Sequence, residues 1–151
     1  MKLYDFPPSG NGYKVRLALA GRGMPYEYIP LDILSGETRT PQFLAMNPNG
    51  RIPLLQLSDG SFLAESNAIL FYLAQGSTLW PATVLDQAKA LQWMFFEPYT
   101  HEPNVATARD WVSIKQIAHE GGFDLGAYPA IQGWLARVAA GPGHVTIDAW
   151  K

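Results

Sequence analysis

Asn47-Pro48-Asn49-Gly50-Arg51-Ile52-Pro53-Leu54-Leu55-Gln56-Leu57-Ser58-Asp59-Gly60-Ser61-Phe62-Leu63-Ala64-Glu65-Ser66 is the stretch that decides the fold. A dense loop, Asn47 to Pro53, runs into two short apolar segments, Leu54–Leu57 and Ser61–Ala64, around Ser58-Asp59-Gly60. Apolar runs flanking an Asp-Gly turn predict a β-hairpin. Ser66 then stands where a helix N-cap belongs, and Ala68–Ala74 read as a buried helix closed by Gly76.

The chain before the hairpin has the complementary pattern. Lys2–Phe6 reads as a strand stopped by Pro7-Pro8-Ser9-Gly10. From about Asn11 a helix follows, with Tyr13, Val15, Leu17 and Leu19 as its apolar weight, Lys14 and Arg16 as its charge, and Gly21 and Gly23 as its end. Tyr26–Ile33 reads as a second strand, with Pro30 favouring an edge position or a bulge. Ser35–Arg39 reads as a loop and Pro41–Met46 as a short helix. Strand, helix, strand, loop, hairpin and helix within residues 1–77 predict an α/β thioredoxin-like domain. After Trp80-Pro81 strand signals cease, so residues 83–151 are expected to form a shortened all-α domain. Its helices are placed at Val84–Phe96, at Asn104–Trp111 after a kink or break at Pro98 and Pro103, and at Tyr128–Ala140.

Composition narrows the chemistry. The formal net charge is -2 and the basic residues form no run, which argues against a nucleic-acid binder. Ala68–Ala74 is the longest apolar stretch and is too short to cross a bilayer. The start turns acidic at Asp5 and meets Pro7-Pro8, so no secretory segment is expected and the cytoplasm is the default. There is no cysteine, so any sulfur chemistry must use sulfur that arrives on a ligand. His101, His119 and His144 lack metal-ligand spacing, and no metal is expected. Gly10-Asn11-Gly12 does not extend to a dinucleotide motif, because Val15 takes the third glycine position.

Three places can hold a peptide-like thiol. Ser9 precedes a helix N-terminus, where backbone N–H groups and the helix dipole favour an anion. Its hydroxyl either caps that helix or donates to a thiolate and lowers its pKa. Ile52-Pro53 is either an ordinary strand start or a cis proline that turns the Ile52 backbone outward to pair with an extended peptide. Glu65-Ser66 is either a simple cap with an acidic neighbour or a receptor for an amino-acid head group. In the second case Ser66 holds the carboxylate and Glu65 the ammonium.

Ser9-Gly10-Asn11-Gly12-Tyr13-Lys14-Val15-Arg16, Asn47 through Pro53, and Leu63-Ala64-Glu65-Ser66-Asn67-Ala68-Ile69 together resemble the soluble bacterial glutathione S-transferases, in the family's order and spacing. The resemblance implies that glutathione is the co-substrate and that Ser9, with Asn11 as second candidate, activates its thiol. Ile52 would pair with the cysteinyl part beside a cis Pro53, and Glu65 and Ser66 would hold the γ-glutamyl end. Arg51, and less directly Arg39, would stand near the glycyl carboxylate. A pocket for a small hydrophobic electrophile would draw on Tyr99, His101, Asn104 and Trp111. A cytoplasmic homodimer serving detoxification is also implied, without nucleic-acid or membrane partners. The resemblance covers residues 1–112 and resumes from about Ile117 to Asp148, implying an internal deletion in the helical domain that takes out its Ser/Thr-x-x-Asp capping box. The rival expectation is a glutathione-binding scaffold whose turnover is lost with those helices.

Overall fold

A computed structural model describes residues 1–106 together with Pro129, Gly133, Ala136, Arg137 and Ala140. It divides into two compact units, Met1–Ser77 with Ala139–Lys151, and Thr78–Val138.

In the first unit the elements run β1 (Lys2–Asp5), α1 (Gly10–Gly21), β2 (Glu27–Pro30), a 3-10 turn (Glu37–Arg39), α2 (Pro41–Met46), β3 (Leu54–Gln56), β4 (Phe62–Ala64) and α3 (Ser66–Ala74). The sheet order is β2-β1-β3-β4. β1 and β2 are parallel, joined through α1, whereas β1–β3 and β3–β4 are antiparallel. Pro30 ends the edge strand β2, where its missing N–H costs no central ladder bond.

Strand alternation sorts side chains to the two faces. Leu3 and Leu55 lie opposite each other in the ladder and pack with Val15 and Leu19 of α1 and Ile69 and Leu73 of α3. Each such side chain, removed from water, stabilises the fold by roughly 1.5–3 kcal/mol. Tyr4, one residue on from Leu3, meets Phe43 of α2 edge-to-face at 6.4 Å. The residue after Tyr4 returns to the α1 face, and there the core is polar: Asp5 is fully buried against the first turn of α1. Gly12 makes room for it, because a methyl group on Gly12 would coincide with the Asp5 carboxylate.

The strand expected over Tyr26–Ile33 is shorter, Glu27–Pro30, and two further details differ. Ser66 is the first residue of α3, not its cap; the cap is Glu65, whose φ of 67° places a non-glycine residue in left-handed backbone and whose side chain makes no capping bond. The Ser66 hydroxyl is thereby free to reach outside its own helix. The expected loop Ser35–Arg39 closes into the 3-10 turn, with Arg39 N–H bonded to the Gly36 carbonyl at 2.8 Å.

The second unit opens with α4 (Val84–Phe96), capped by Thr83, whose Oγ1 accepts from the Asp86 amide at 3.2 Å. No residue of α4 is buried, and Val84, Leu85, Trp93 and Phe95 are exposed. At Pro98 and Pro103, where a kink or a break is expected, the α-helix ends at Phe96 but the chain stays helical. The chain continues as a π-helix, Glu97–Ala106. Pro103 has no N–H to give to the Tyr99 carbonyl, so an α-helical ladder cannot pass unbroken, and the wider turn keeps the chain helical. Pro129, Gly133, Ala136 and Arg137 are helical, within the helix expected over Tyr128–Ala140. The end of the helix expected over Asn104–Trp111 and the expected deletion beyond it lie outside the described residues.

The packing of Asp5 on Gly12 predicts that Gly12→Ala lowers stability by about 1–3 kcal/mol through overpacking. Gly21→Ala, where no atom lies within 4 Å, should be neutral or stabilising by up to about 1 kcal/mol. Urea midpoints for the two variants make the comparison.

Candidate functional site

The register of the sheet puts three loop ends together. Leu54 at the start of β3 pairs with Tyr4 near the end of β1 and with Ala64 at the end of β4. The chain leaving β1 toward Ser9, the chain entering β3 through Ile52-Pro53, and the chain leaving β4 at Glu65-Ser66 therefore all lie at one end of the sheet.

Ser9 is held there by its backbone. Its N–H bonds to the Phe6 carbonyl at 2.8 Å, and its Oγ accepts from the Gly12 amide at 3.1 Å. Capping uses a lone pair of that oxygen, so the hydroxyl proton remains able to donate to an anion at the helix end. Asn11, on the first turn of α1, accepts a hydrogen bond from Ser66 Oγ at 3.4 Å, across 55 positions of sequence. This contact joins the N-terminal turns of α1 and α3, so two helix starts, with the positive ends of their dipoles, meet at one place.

The third segment is shaped by Asn47. This buried residue donates from Nδ2 to the Arg51 carbonyl at 2.8 Å and accepts from the Asn49 amide at Oδ1, 3.2 Å away. Gly50 turns with a φ of 60°, its Cα packed against the Arg39 guanidinium, and Arg39 Nη1 donates to the Asn49 carbonyl at 3.2 Å. The loop delivers Ile52 to a cis Ile52–Pro53 bond. Among the described residues no hydrogen bond engages the Ile52 N–H or C=O.

Beneath Ser9 lies a buried polar cluster. Asp5 Oδ2 is 3.6 Å from Arg16 Nε and accepts from the Tyr28 hydroxyl at 3.4 Å. Arg16, 3% exposed, donates from Nη2 to the Pro7 carbonyl at 2.9 Å. Burial pushes the Asp5 carboxyl up to about 6, opposed by the Arg16 charge, the Phe6 amide and the Tyr28 hydroxyl. Burial, with Asp5 beside it, also raises Tyr28.

Residues 1–75 match the family described as Glutathione S-transferase, N-terminal domain. The chain is similar to the crystal structure of a possible glutathione S-transferase from Rhodopseudomonas palustris, at 42% identity and a TM-score of 0.89, over 99% of this chain and 98% of that one. It belongs to the glutathione S-transferase family. Maleylacetoacetate isomerase of Pseudomonas aeruginosa is 44% identical over 77 residues, covering 50% of this chain and 36% of the isomerase. The chain thus spans about a third of the length of that curated relative. The maleylacetoacetate isomerase of Methylobacterium extorquens, solved with malonate and GSH bound, is 29% identical with a TM-score of 0.63, over 93% of this chain and 67% of that one.

In this family member, Ser9, Asn11, Ile52, Pro53, Glu65 and Ser66 come to one end of the sheet, with Arg51 directly beside Ile52. Arg39 reaches the same loop through Asn49. Tyr99, His101 and Asn104 are exposed on the π-helix, where Asn104 Nδ2 bonds the Thr100 carbonyl at 2.6 Å; Trp111 lies outside the described residues. No cluster of metal-ligating side chains occurs among the described residues, nor a helix long and apolar enough to cross a membrane. Asp5, Arg16 and Asn47 have buried polar roles beside the site that no sequence motif assigns to them. The available signal was spacing: Asp5 shares the inward phase of Leu3, and Arg16 stands between the inward Val15 and Leu19.

A carboxyl whose folded pKa lies above its unfolded value stabilises the fold at low pH. That contribution is fully present below about pH 4 and is lost as the pH rises through about 6. Relative to Asp5→Asn, which cannot titrate, the wild-type protein should lose on the order of 2–3 kcal/mol between pH 4 and pH 7.5. Paired urea titrations across that range measure it; a constant difference contradicts the assignment.

Proposed function

We propose that this chain binds glutathione across Ser9, Ile52, Glu65 and Ser66, and presents its thiolate to a small hydrophobic electrophile. The observation that carries the reading is the Ser66–Asn11 hydrogen bond, which joins two helix N-termini beside a free Ile52 backbone. The glutathione bound to a similar isomerase supports the choice of ligand.

The tripeptide would lie as an added strand against Ile52, its cysteinyl amide and carbonyl paired with the Ile52 C=O and N–H. Its γ-glutamyl carboxylate would sit on Ser66 and the start of α3, its ammonium on Glu65, and its glycyl carboxylate near Arg51, with Arg39 bracing the loop. The sulfur would then reach the start of α1. A free thiol has a pKa near ~8.5 and is mostly protonated at neutral pH. A hydrogen bond from Ser9, together with the helix dipole, favours the thiolate, and each unit of depression corresponds to about 1.4 kcal/mol. The thiolate forms a C–S bond at the electrophilic carbon while the leaving group departs with its electron pair, and the bound geometry supplies proximity.

The 44% identity to the Pseudomonas isomerase favours a second reading of the same site. There the thiolate adds to a conjugated carbon–carbon double bond, the adduct rotates, and the thiolate is expelled, regenerating glutathione. We place the protein in the cytosol, where thiols are kept reduced. We read it as a homodimer, in which a second copy covers apolar side chains such as Trp93 and Phe95 of α4.

Retention on immobilised glutathione and conjugation of an aryl halide test the transferase reading, and turnover of maleylacetoacetate tests the isomerase reading. Binding without turnover in either assay would instead support the scaffold role. Ser9→Ala should slow conjugation roughly 10- to 100-fold and move the pH–rate profile upward. An unchanged profile in Ser9→Ala, with loss in Asn11→Ala, would transfer the role to Asn11. An unchanged profile in both contradicts thiol activation by this loop.

A further inference from the structure

The loop that holds Ser9 is tied into α1 at Ser9 itself, where the Oγ accepts from the Gly12 amide and the carbonyl from the Tyr13 amide, and is held less directly at Pro7 and Pro8. Pro7 and Pro8 have no N–H, so neither can donate to a neighbouring acceptor. The Ser9 amide makes one tether, to Phe6. The Pro7 carbonyl is held from further along α1, by Arg16 Nη2 at 2.9 Å.

Arg16 is suited to that tether because it is itself fixed. Its guanidinium lies 5.8 Å from the centre of the Tyr13 ring and 5.7 Å from that of Tyr28, at stacking distance. Its Nε faces Asp5 at 3.6 Å, and Tyr28 donates to the same carboxylate oxygen. Among the described residues Nε and Nη1 of Arg16 and Oδ1 of Asp5 have no hydrogen-bond partner. A buried arginine left short of donors' partners is costly to maintain, and hydrophobic residues of similar size often do as well or better for stability. Its one direct hydrogen bond goes to the loop that bears Ser9.

We propose that Arg16, fixed by Asp5 and Tyr28, is a positioning residue for Ser9, pinning the Pro7 carbonyl and so setting where the Ser9 hydroxyl meets the glutathione sulfur. This rests on the reading of Ser9 as the thiol-activating group. Lysine cannot replace arginine here, since a single ammonium lacks the planar fork that spans Asp5 and Pro7.

The test uses the whole chain and Arg16→Lys, with melting temperature, glutathione affinity, the pKa of the bound thiol from thiolate ultraviolet absorbance, and kcat and KM for an aryl halide. Arg16→Lys should fold and bind glutathione within about threefold of wild type. Its bound thiol pKa should rise by about one unit, and kcat at neutral pH should fall about tenfold with KM unchanged. Tyr28→Phe, a milder change that leaves the Arg16–Asp5 pair in place, should shift the thiol pKa in the same direction by less. A folded Arg16→Lys with wild-type thiol pKa and kcat overturns the proposal. Should Arg16→Lys fail to fold, an unchanged thiol pKa in Tyr28→Phe overturns it. A wild-type protein that binds glutathione without lowering its thiol pKa overturns the functional reading first, before any substitution is compared.

Discussion

Leu54 is paired on both sides, with Tyr4 of β1 and with Ala64 of β4, and that double pairing constrains everything at the site. Because a strand has a period of two, a slip of one residue in either ladder would turn Leu55 out of the core and move Ile52 away from Ser66. The apolar cluster of Leu3, Val15, Leu19, Leu55, Ile69 and Leu73 holds the register against such a slip. The site is thus a consequence of core packing: the hydrophobic face of the sheet decides which loop ends meet.

Polar interactions then refine what the core has placed. Asn47 and Arg39 shape the chain ahead of Ile52, Asn11 and Ser66 tie two helix starts together, and the Asp5–Arg16 pair sits under the loop of Ser9. Each interaction is individually modest, on the order of 1 kcal/mol for an ordinary hydrogen bond. Their common feature is that they fix backbone segments whose own donors and acceptors are turned toward the same space. Glu65 belongs with them: its φ of 67° is unfavourable for a side-chain-bearing residue, a kind of backbone conformation found disproportionately at functional sites.

Much of this was legible from the sequence, because period and punctuation speak directly to local structure. The bounds of Pro41–Met46 and the start of Val84–Phe96 were readable, and the Asp59-Gly60 turn announced the hairpin. Ser9 is the cap of α1, as its position before a helical pattern suggested. Ser66 was misplaced by one position because cap preference is statistical, whereas the actual cap, Glu65, adopts a backbone conformation that no propensity favours. The π-helix escaped because proline signals only the loss of an α-helical bond, not what replaces it. Asp5, Arg16 and Asn47 were hidden for a different reason. Charged and amide residues ordinarily read as surface; Asp5 and Arg16 are buried because they pair with each other and with Tyr28 and Pro7, and Asn47 because it closes its own loop onto Asn49 and Arg51.

The central claim is that the starts of α1 and α3 and the chain before Pro53 form one glutathione groove, and amide chemical-shift mapping tests it most directly. Titrating glutathione into the isotope-labelled protein should move the amides of Gly10 to Gly12, Ile52, Ser66 and Asn67 together, with one shared dissociation constant. Shifts confined to one of the three segments, or scattered without a common affinity, would contradict it.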